Sequence, residues 1–183
     1  MLVVGGGPYT GAPALTAQAA LRGGADLVRV ACPAVVAREI QSYSENLILR
    51  PFDGDHLAPP HVDNLAELAA EHDTLIVGPG LGNADATLEA VGDLLSGFEG
   101  TAVVDADALS VVPDIETDAD LVCTPHQASF SGWAARRPRT GGSGRTSWSP
   151  SHRRSTRHCW SKARTTSSPT ASEPASAGRA IRG

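Results

Sequence analysis

Lysine is almost absent from this sequence. The one lysine is Lys162, and up to Ala128 the arginines are Arg22, Arg29, Arg38 and Arg50, set against 19 aspartates and glutamates. Four against 19 leaves residues 1–128 at −15, whereas residues 129–183 hold 11 basic side chains and Glu173 alone, or +10. So acidic a surface repels a phosphate backbone and excludes nucleic acid as its expected partner. It is the balance of a protein kept soluble in high salt. Long apolar runs are missing too. None approaches the ~18 residues of a membrane span, and no leader is expected ahead of the first strand. No membrane partner and a cytoplasmic location are therefore expected. The three cysteines, Cys32, Cys123 and Cys159, are odd in number and share no C-x-x-C spacing. That argues against a disulfide scaffold or zinc framework and for reduced, structural thiols. A length of 183 residues allows one domain, two at most.

What is present is glycine at the ends of apolar strands. MLVVGGGPYTG reads as a strand over Leu2–Val4 that breaks at Gly5, Gly6 and Gly7, with Gly11 leading into a helix near Ala12. Glycines there let the backbone take positive φ and approach a ligand closely. The helix start offers free N–H groups to an anion. The stretch is not a P-loop, since no Gly-Lys-Ser/Thr follows, and it does not fit G-x-G-x-x-G. A tight turn with no ligand is the plain alternative. A second such turn follows Thr74–Val77, where the chain runs into Gly78-Pro79-Gly80-Leu81-Gly82.

Between and beyond these turns, strands and helices alternate. A helix over Ala12–Arg22 stops at Gly23-Gly24. Asp26–Cys32 is a strand, and Pro33 starts a helix with Val35, Val36 and Ile40 on one face. Asn46–Arg50 is a short strand stopped by Pro51, and His61–His72 is a helix with Leu65, Leu68 and Ala69 at helical spacing. Asn83 or Asp85 can cap a helix over Ala86–Leu95. Thr101–Asp105 and Asp120–Cys123 are further strands, the second leading into Thr124-Pro125-His126. This order means an α/β fold with a mostly parallel sheet.

Ligands of such sheets sit outside the carboxyl ends of the strands. That edge carries Gly5–Gly11, Gly78–Gly82, Asp105 with Asp107, and His126. Each has a plain reading. Gly80 and Gly82 can shape a strand-to-helix turn, Asp105 and Asp107 can cap the next helix, and His126 can be a turn residue. A nucleotide site would use the glycine N–H groups on phosphates, a carboxylate on ribose or metal-bound water, and the histidine on the substrate. His56, His61 and His72 fall on loops or helix surfaces and receive no role.

Taken together, GGGPYTGAPALTAQAALRGGADLV, VGPGLGN, VVDADAL and CTPH resemble the ADP-dependent (S)-NAD(P)H-hydrate dehydratases. The resemblance implies a ribokinase-like three-layer sandwich. It implies dehydration of the S epimer of hydrated NADH or NADPH (NADHX and NADPHX), with ADP as co-substrate, Mg2+ as cofactor, and AMP and phosphate released. Phosphorylation turns the ring hydroxyl into a leaving group, which suits a kinase-like fold. Carried over by position, Ala12 in the GAP turn, a glycine of GPGLG (Gly82, or Gly80) and His126 contact the hydrated nicotinamide nucleotide. Gly5, Gly6, Gly7 and Gly11 form the glycine loop. Asp105 and Asp107 match the family's D-A-D-A-L and lie near the phosphates and magnesium, with no direct metal ligand assigned. The partners implied are small-molecule nucleotides, with a homo-oligomer if the chain is complete.

Two departures bear on activity. The family's chain begins before this strand, often after an epimerase domain, and its later lysine-glycine loop, G-N-P-G turn and G-T-G-D turn are absent here. That last aspartate is the family's expected base, so no catalytic residue is assigned. From Ser129 to Gly183 the chain is rich in Arg, Ser, Thr, Pro and Gly without apolar periodicity, a composition of disorder. A basic linker or nucleic-acid-binding tail is one reading. Back-translation gives another: started one nucleotide earlier, codons for SFSGWAA can read EFQWLGG, those for KARTTSSPTASEP can read KGAHDVISDGERT, and AGRAIRG can supply RAGNPG. These restore family motifs in family order. The expectation is a partial dehydratase domain over 1–128, incomplete at its C-terminus, and an out-of-frame, disordered tail over 129–183. As translated, the chain is expected to be inactive and poorly folded. The alternatives are a ribokinase-like small-molecule kinase, such as a thiazole or hydroxymethylpyrimidine kinase, which TPHQA after DADAL disfavours, and a non-catalytic nucleotide-binding remnant.

Overall fold

The computed structural model describes residues 1–125 and the backbone of Ser147–Trp148 and Arg157–Cys159. The strands are β1 (Leu2–Val4), β2 (Arg29–Pro33), β3 (Ile48–Phe52), β4 (Thr74–Val77), β5 (Thr101–Val104), β6 (Asp120–Cys123), β7 (Ser147–Trp148) and β8 (Arg157–Cys159). They form one sheet in the order β3-β2-β1-β4-β5-β6-β8-β7. Every pairing is parallel except β7 with β8. The helices are α1 (Gly11–Arg22), α2 (Ala34–Ser42), α3 (Val62–Ala70) and α4 (Asp85–Ser96), with 3-10 segments at Pro59–His61 and Ala106–Asp114.

Strand alternation sorts the core into two layers. Leu2, Val4, Leu75, Val77, Ala102, Val104 and Leu121 pack with α3, α4 and the longer 3-10 segment. On the opposite face, Val3, Val30 and Cys32 pack with α1 and α2 through Ala14, Ala17 and Ile40. Helices on both faces of a parallel sheet are the usual solution for strands that are apolar throughout.

Several local expectations are corrected. Val35 is 67% exposed, and it is Ile40, with Val36 and Ala37 beside it, that meets the core. Pro51 does not stop its strand, because β3 runs through it to Phe52. At the outer edge of a sheet the missing N–H costs no ladder bond. Asp26–Val28 precede β2, and β5 ends at Val104 rather than at Asp105. Neither Asn83 nor Asp85 caps α4, whose N-cap is Ala84 with extended backbone and no side-chain bond. Asp85 instead lies in the first turn, where a carboxylate favours the helix dipole.

Beyond β6, β8 adds Val122↔His158 and Cys123↔Cys159 to the sheet. An uncovered β6 would present a row of unpaired N–H and C=O groups, and a short extended segment satisfies it. The expected disorder of the tail otherwise falls outside the described residues.

Candidate functional site

From β1 the chain steps outward to β2 and β3, then returns to β4 and continues the other way to β5 and β6. The strand order therefore reverses between β1 and β4. Two strands leaving that point with connections on opposite faces open a crevice at their carboxyl ends, the usual ligand position in open α/β sheets. The loops facing each other there are Gly5–Thr10 and Gly78–Ala84.

The two loops clasp. Gly6 donates its N–H to the Pro79 carbonyl at 2.9 Å, and Gly78 donates to Val4 at 3.2 Å. A Cβ on Gly5 would lie 2.4 Å from the Pro79 carbonyl oxygen, and one on Gly80 would lie 2.2 Å from that of Tyr9. Gly82 packs against Pro8 more loosely, at 3.1 Å. Gly80 and Gly82 both have φ near +80°. Most of these glycines are thus required by backbone meeting backbone. Gly11 differs, with nothing within 4 Å of its Cβ position. It opens α1, whose first turn has no side-chain cap and no acidic residue. Ala12, the next residue, is half-buried in that turn. The glycine loop thus shapes a floor, and the start of α1 is its open, N–H-bearing side.

β5 delivers the carboxylates to the same edge. Asp105 follows Val104, donates its backbone N–H to Val77 at 3.1 Å, and accepts a 2.7 Å bond from the Thr124 hydroxyl. Its carbonyl oxygen would lie 1.9 Å from a Cβ on Gly78, so the β4 and β5 loops are also in backbone contact. Asp107 is exposed in the first turn of the 3-10 segment. Ala106 between them has φ +53°, the one non-glycine at positive φ among the described residues. Alanine in this region is strained, and nothing in D-A-D-A-L signals it. The plain reading of the aspartates as helix caps finds no side-chain support: Asp105 is the N-cap of a 3-10 segment but makes no side-chain cap bond.

The described residues contain no group of three or more His, Cys, Asp or Glu side chains converging on a metal. Two hard carboxylates at one sheet edge fit the donor chemistry of magnesium, which is commonly held by one or two carboxylates, waters and substrate phosphates. The sheet therefore brings together Gly5, Gly6, Gly7, Gly11, Ala12, Gly80, Gly82, Asp105 and Asp107. His126 lies outside the described residues, one step past buried Pro125. Cys32, under the clasp on the α1–α2 side, is buried, and desolvation raises its thiol to about 11. It is structural.

Residues 1–139 match the family model described as NAD(P)H-hydrate dehydratase. The chain belongs to this family. Over 138 residues it is 41% identical to the bifunctional NAD(P)H-hydrate repair enzyme Nnr of Methanothermobacter thermautotrophicus, covering 72% of this chain and 26% of that protein. It is 37% identical over 125 residues to the ADP-dependent (S)-NAD(P)H-hydrate dehydratase of Natrialba magadii, covering 67% and 47% respectively. The fold is similar to that of a ribokinase-like superfamily protein from Enterococcus faecalis, with a TM-score of 0.63 at 18% identity over 73% of this chain and 47% of that one. It is also similar to the ADP/ATP-dependent NAD(P)H-hydrate dehydratase of Bacillus subtilis, with a TM-score of 0.56 at 19% identity over 74% and 47%. The fold is thus ribokinase-like. The chain spans about a quarter of the bifunctional relative and about half of the single-activity dehydratase. Among the described residues no helix is long and apolar enough to cross a membrane.

Proposed function

We propose that this chain carries the substrate-binding half of an ADP-dependent (S)-NAD(P)H-hydrate dehydratase. The observation that carries the reading is the clasp of Gly5–Thr10 on Gly78–Ala84 at the β1/β4 reversal, with Asp105 locked against Gly78. The hydrated nicotinamide nucleotide lies over this clasp, with the α1 start at Ala12, Gly80 or Gly82, and His126 as contacts. Asp105 and Asp107 stand near the phosphates and their magnesium, with no direct metal ligand assigned. ADP is the phosphoryl donor, and magnesium supplies charge neutralisation there when bound. Nucleotides are the partners, nucleic acid and membranes are not, the complete enzyme is a cytoplasmic homo-oligomer, and its acidic surface suits high salt.

The base and the adenine-nucleotide loop belong to the second half of the enzyme, which in this reading lies downstream in the other frame. Residues 1–128 are then a partial domain, residues 129–183 are out-of-frame coding, and the chain as translated has no turnover. Resequencing across the codons for Pro125–Phe130 tests this. One additional nucleotide is expected, and the restored product should dehydrate NADHX or NADPHX with ADP and release AMP and phosphate. A restored product that phosphorylates a free alcohol and ignores the hydrates would instead be a small-molecule kinase. Retained nucleotide affinity without turnover, lost when residues 129–183 are removed, would make the chain a non-catalytic binding remnant.

A further inference from the structure

The loop between β3 and α3 received no role from the sequence, yet it reaches the glycine loop that follows β1. It leaves β3 at Phe52, turns at Gly54 with φ +93°, and is anchored by Leu57, which is fully buried. The hydroxyl of Thr87, the one buried polar side chain among the described residues, donates to the Leu57 carbonyl at 2.9 Å. The Ala58 N–H donates to His61 Nδ1 at 3.1 Å. Just ahead of these anchors the Asp55 carbonyl oxygen comes within 3.9 Å of the Cβ position of Gly7. Asp55 and His56 therefore stand beside the glycine loop, at the end of the strands where the ligand enters.

Charge makes the position matter. The four arginines lie in elements rather than in the loops of this edge: Arg22 ends α1, Arg29 opens β2 and pairs with Glu71, Arg38 is in α2, and Arg50 is within β3. The loops themselves carry Asp53, Asp55, Asp105 and Asp107. Of the two histidines in this connection, His61 has its Nδ1 taken up by the Ala58 N–H, which leaves His56 as the side chain able to bring positive charge to these loops. Its Nδ1 meets Asp55 Oδ1, and the hydrogen bond to His56 holds the Asp55 carboxyl below its usual range. An ionised carboxylate can only accept, so Nδ1 carries the proton. The half-exposed ring is thereby oriented, with Nε2 left for a ligand.

We propose that His56 is a positioning residue for the diphosphate of a bound nucleotide, oriented by Asp55. Nδ1 keeps its N–H on Asp55, and Nε2, which takes up a proton together with the phosphate, donates it to a phosphate oxygen. This rests on the reading that a nucleotide occupies the crevice. The test titrates the full chain with NADPH and, separately, with ADP, following binding by equilibrium dialysis. His56→Ala is expected to weaken binding of at least one of them about ten- to hundredfold, the worth of one charge-assisted hydrogen bond. Which of the two responds identifies whose diphosphate is held. His56→Arg restores the charge and should keep affinity within about threefold, whereas His56→Gln should not. The urea midpoint of each variant should match that of the parent, which separates positioning from folding. Unchanged affinity in His56→Ala, or equal loss in the Ala and Arg variants, overturns the proposal alone. Failure of the parent chain to bind either nucleotide overturns both this proposal and the reading beneath it.

Discussion

Gly78→Ala tests whether the crevice is built by backbone contact. Two costs add at this position. Its φ of +120° is one that alanine adopts only under strain, about 1–3 kcal/mol. The new methyl would also lie 1.9 Å from the Asp105 carbonyl oxygen, an overlap that the backbone must relieve by moving. Asp105 cannot move freely, since its N–H is bonded to Val77 and its carboxylate to Thr124. Overpacking of this kind costs about another 1–3 kcal/mol. The sum, about 2–6 kcal/mol, is a large part of the 5–15 kcal/mol typical of a domain. With a urea slope of about 2 kcal/mol/M, the midpoint should fall by about 1–3 M or the cooperative transition should vanish. Gly11→Ala is the control, because it has free space, starts a helix, and should be neutral or stabilising by up to about 1 kcal/mol. Circular dichroism of the full chains during urea titration is the assay. If both variants unfold at the parent's midpoint, the loops do not need glycine for their mutual contact.

Thr87→Val should destabilise by about 1–3 kcal/mol, because it removes a buried hydroxyl and strands the Leu57 carbonyl; the same titration measures it. Cys32 should resist iodoacetamide in the folded chain and react on unfolding, as mass spectrometry of the labelled protein would show. Its thiol holds the proton up to about 11 when folded against 9.0 in its unperturbed state. The unfolded chain therefore loses this proton first, and stability should fall as pH rises from about 9 toward 11; Cys32→Ser should flatten that decline in thermal melts. In the frame-restored enzyme, Asp107→Asn should raise the Mg2+ concentration for half-maximal activity about tenfold, read from initial rates against Mg2+.

Short apolar strands inside the sheet were the most legible part of the chain. The runs TLIV and DLVC coincide with β4 and β6 to the residue, since nothing but a central parallel strand accommodates such short apolar runs between turn signals. Helix faces were less legible. Val35, Val36 and Ile40 offer more than one apolar stripe, and only the position of the sheet selects Val36 and Ile40. Pro51 misled because its cost depends on whether a strand lies at an edge, which is a property of topology. At the site, motif spacing gathered the glycines and aspartates correctly onto one edge. It gave no sign of strained Ala106 or of the loop carrying His56. Alanine is a poor marker of positive φ, and a loop's path over a distant turn is set by its anchors, here Leu57 and Thr87.

The central place of β1 has a consequence for how the polypeptide is made. β1 is made before both of its hydrogen-bonding neighbours, and one of them, β4, ends at Val77. After β2 is complete at Pro33, the ribosome adds 44 more residues before that flank is filled, roughly 2–9 s at about 5–20 residues per second. During that interval the nascent chain exposes an open, apolar strand edge. A strand of three residues gives a wrongly paired neighbour little purchase. Its brevity is protection during translation, and the crevice comes into being only when Gly78–Gly82 leaves the exit tunnel.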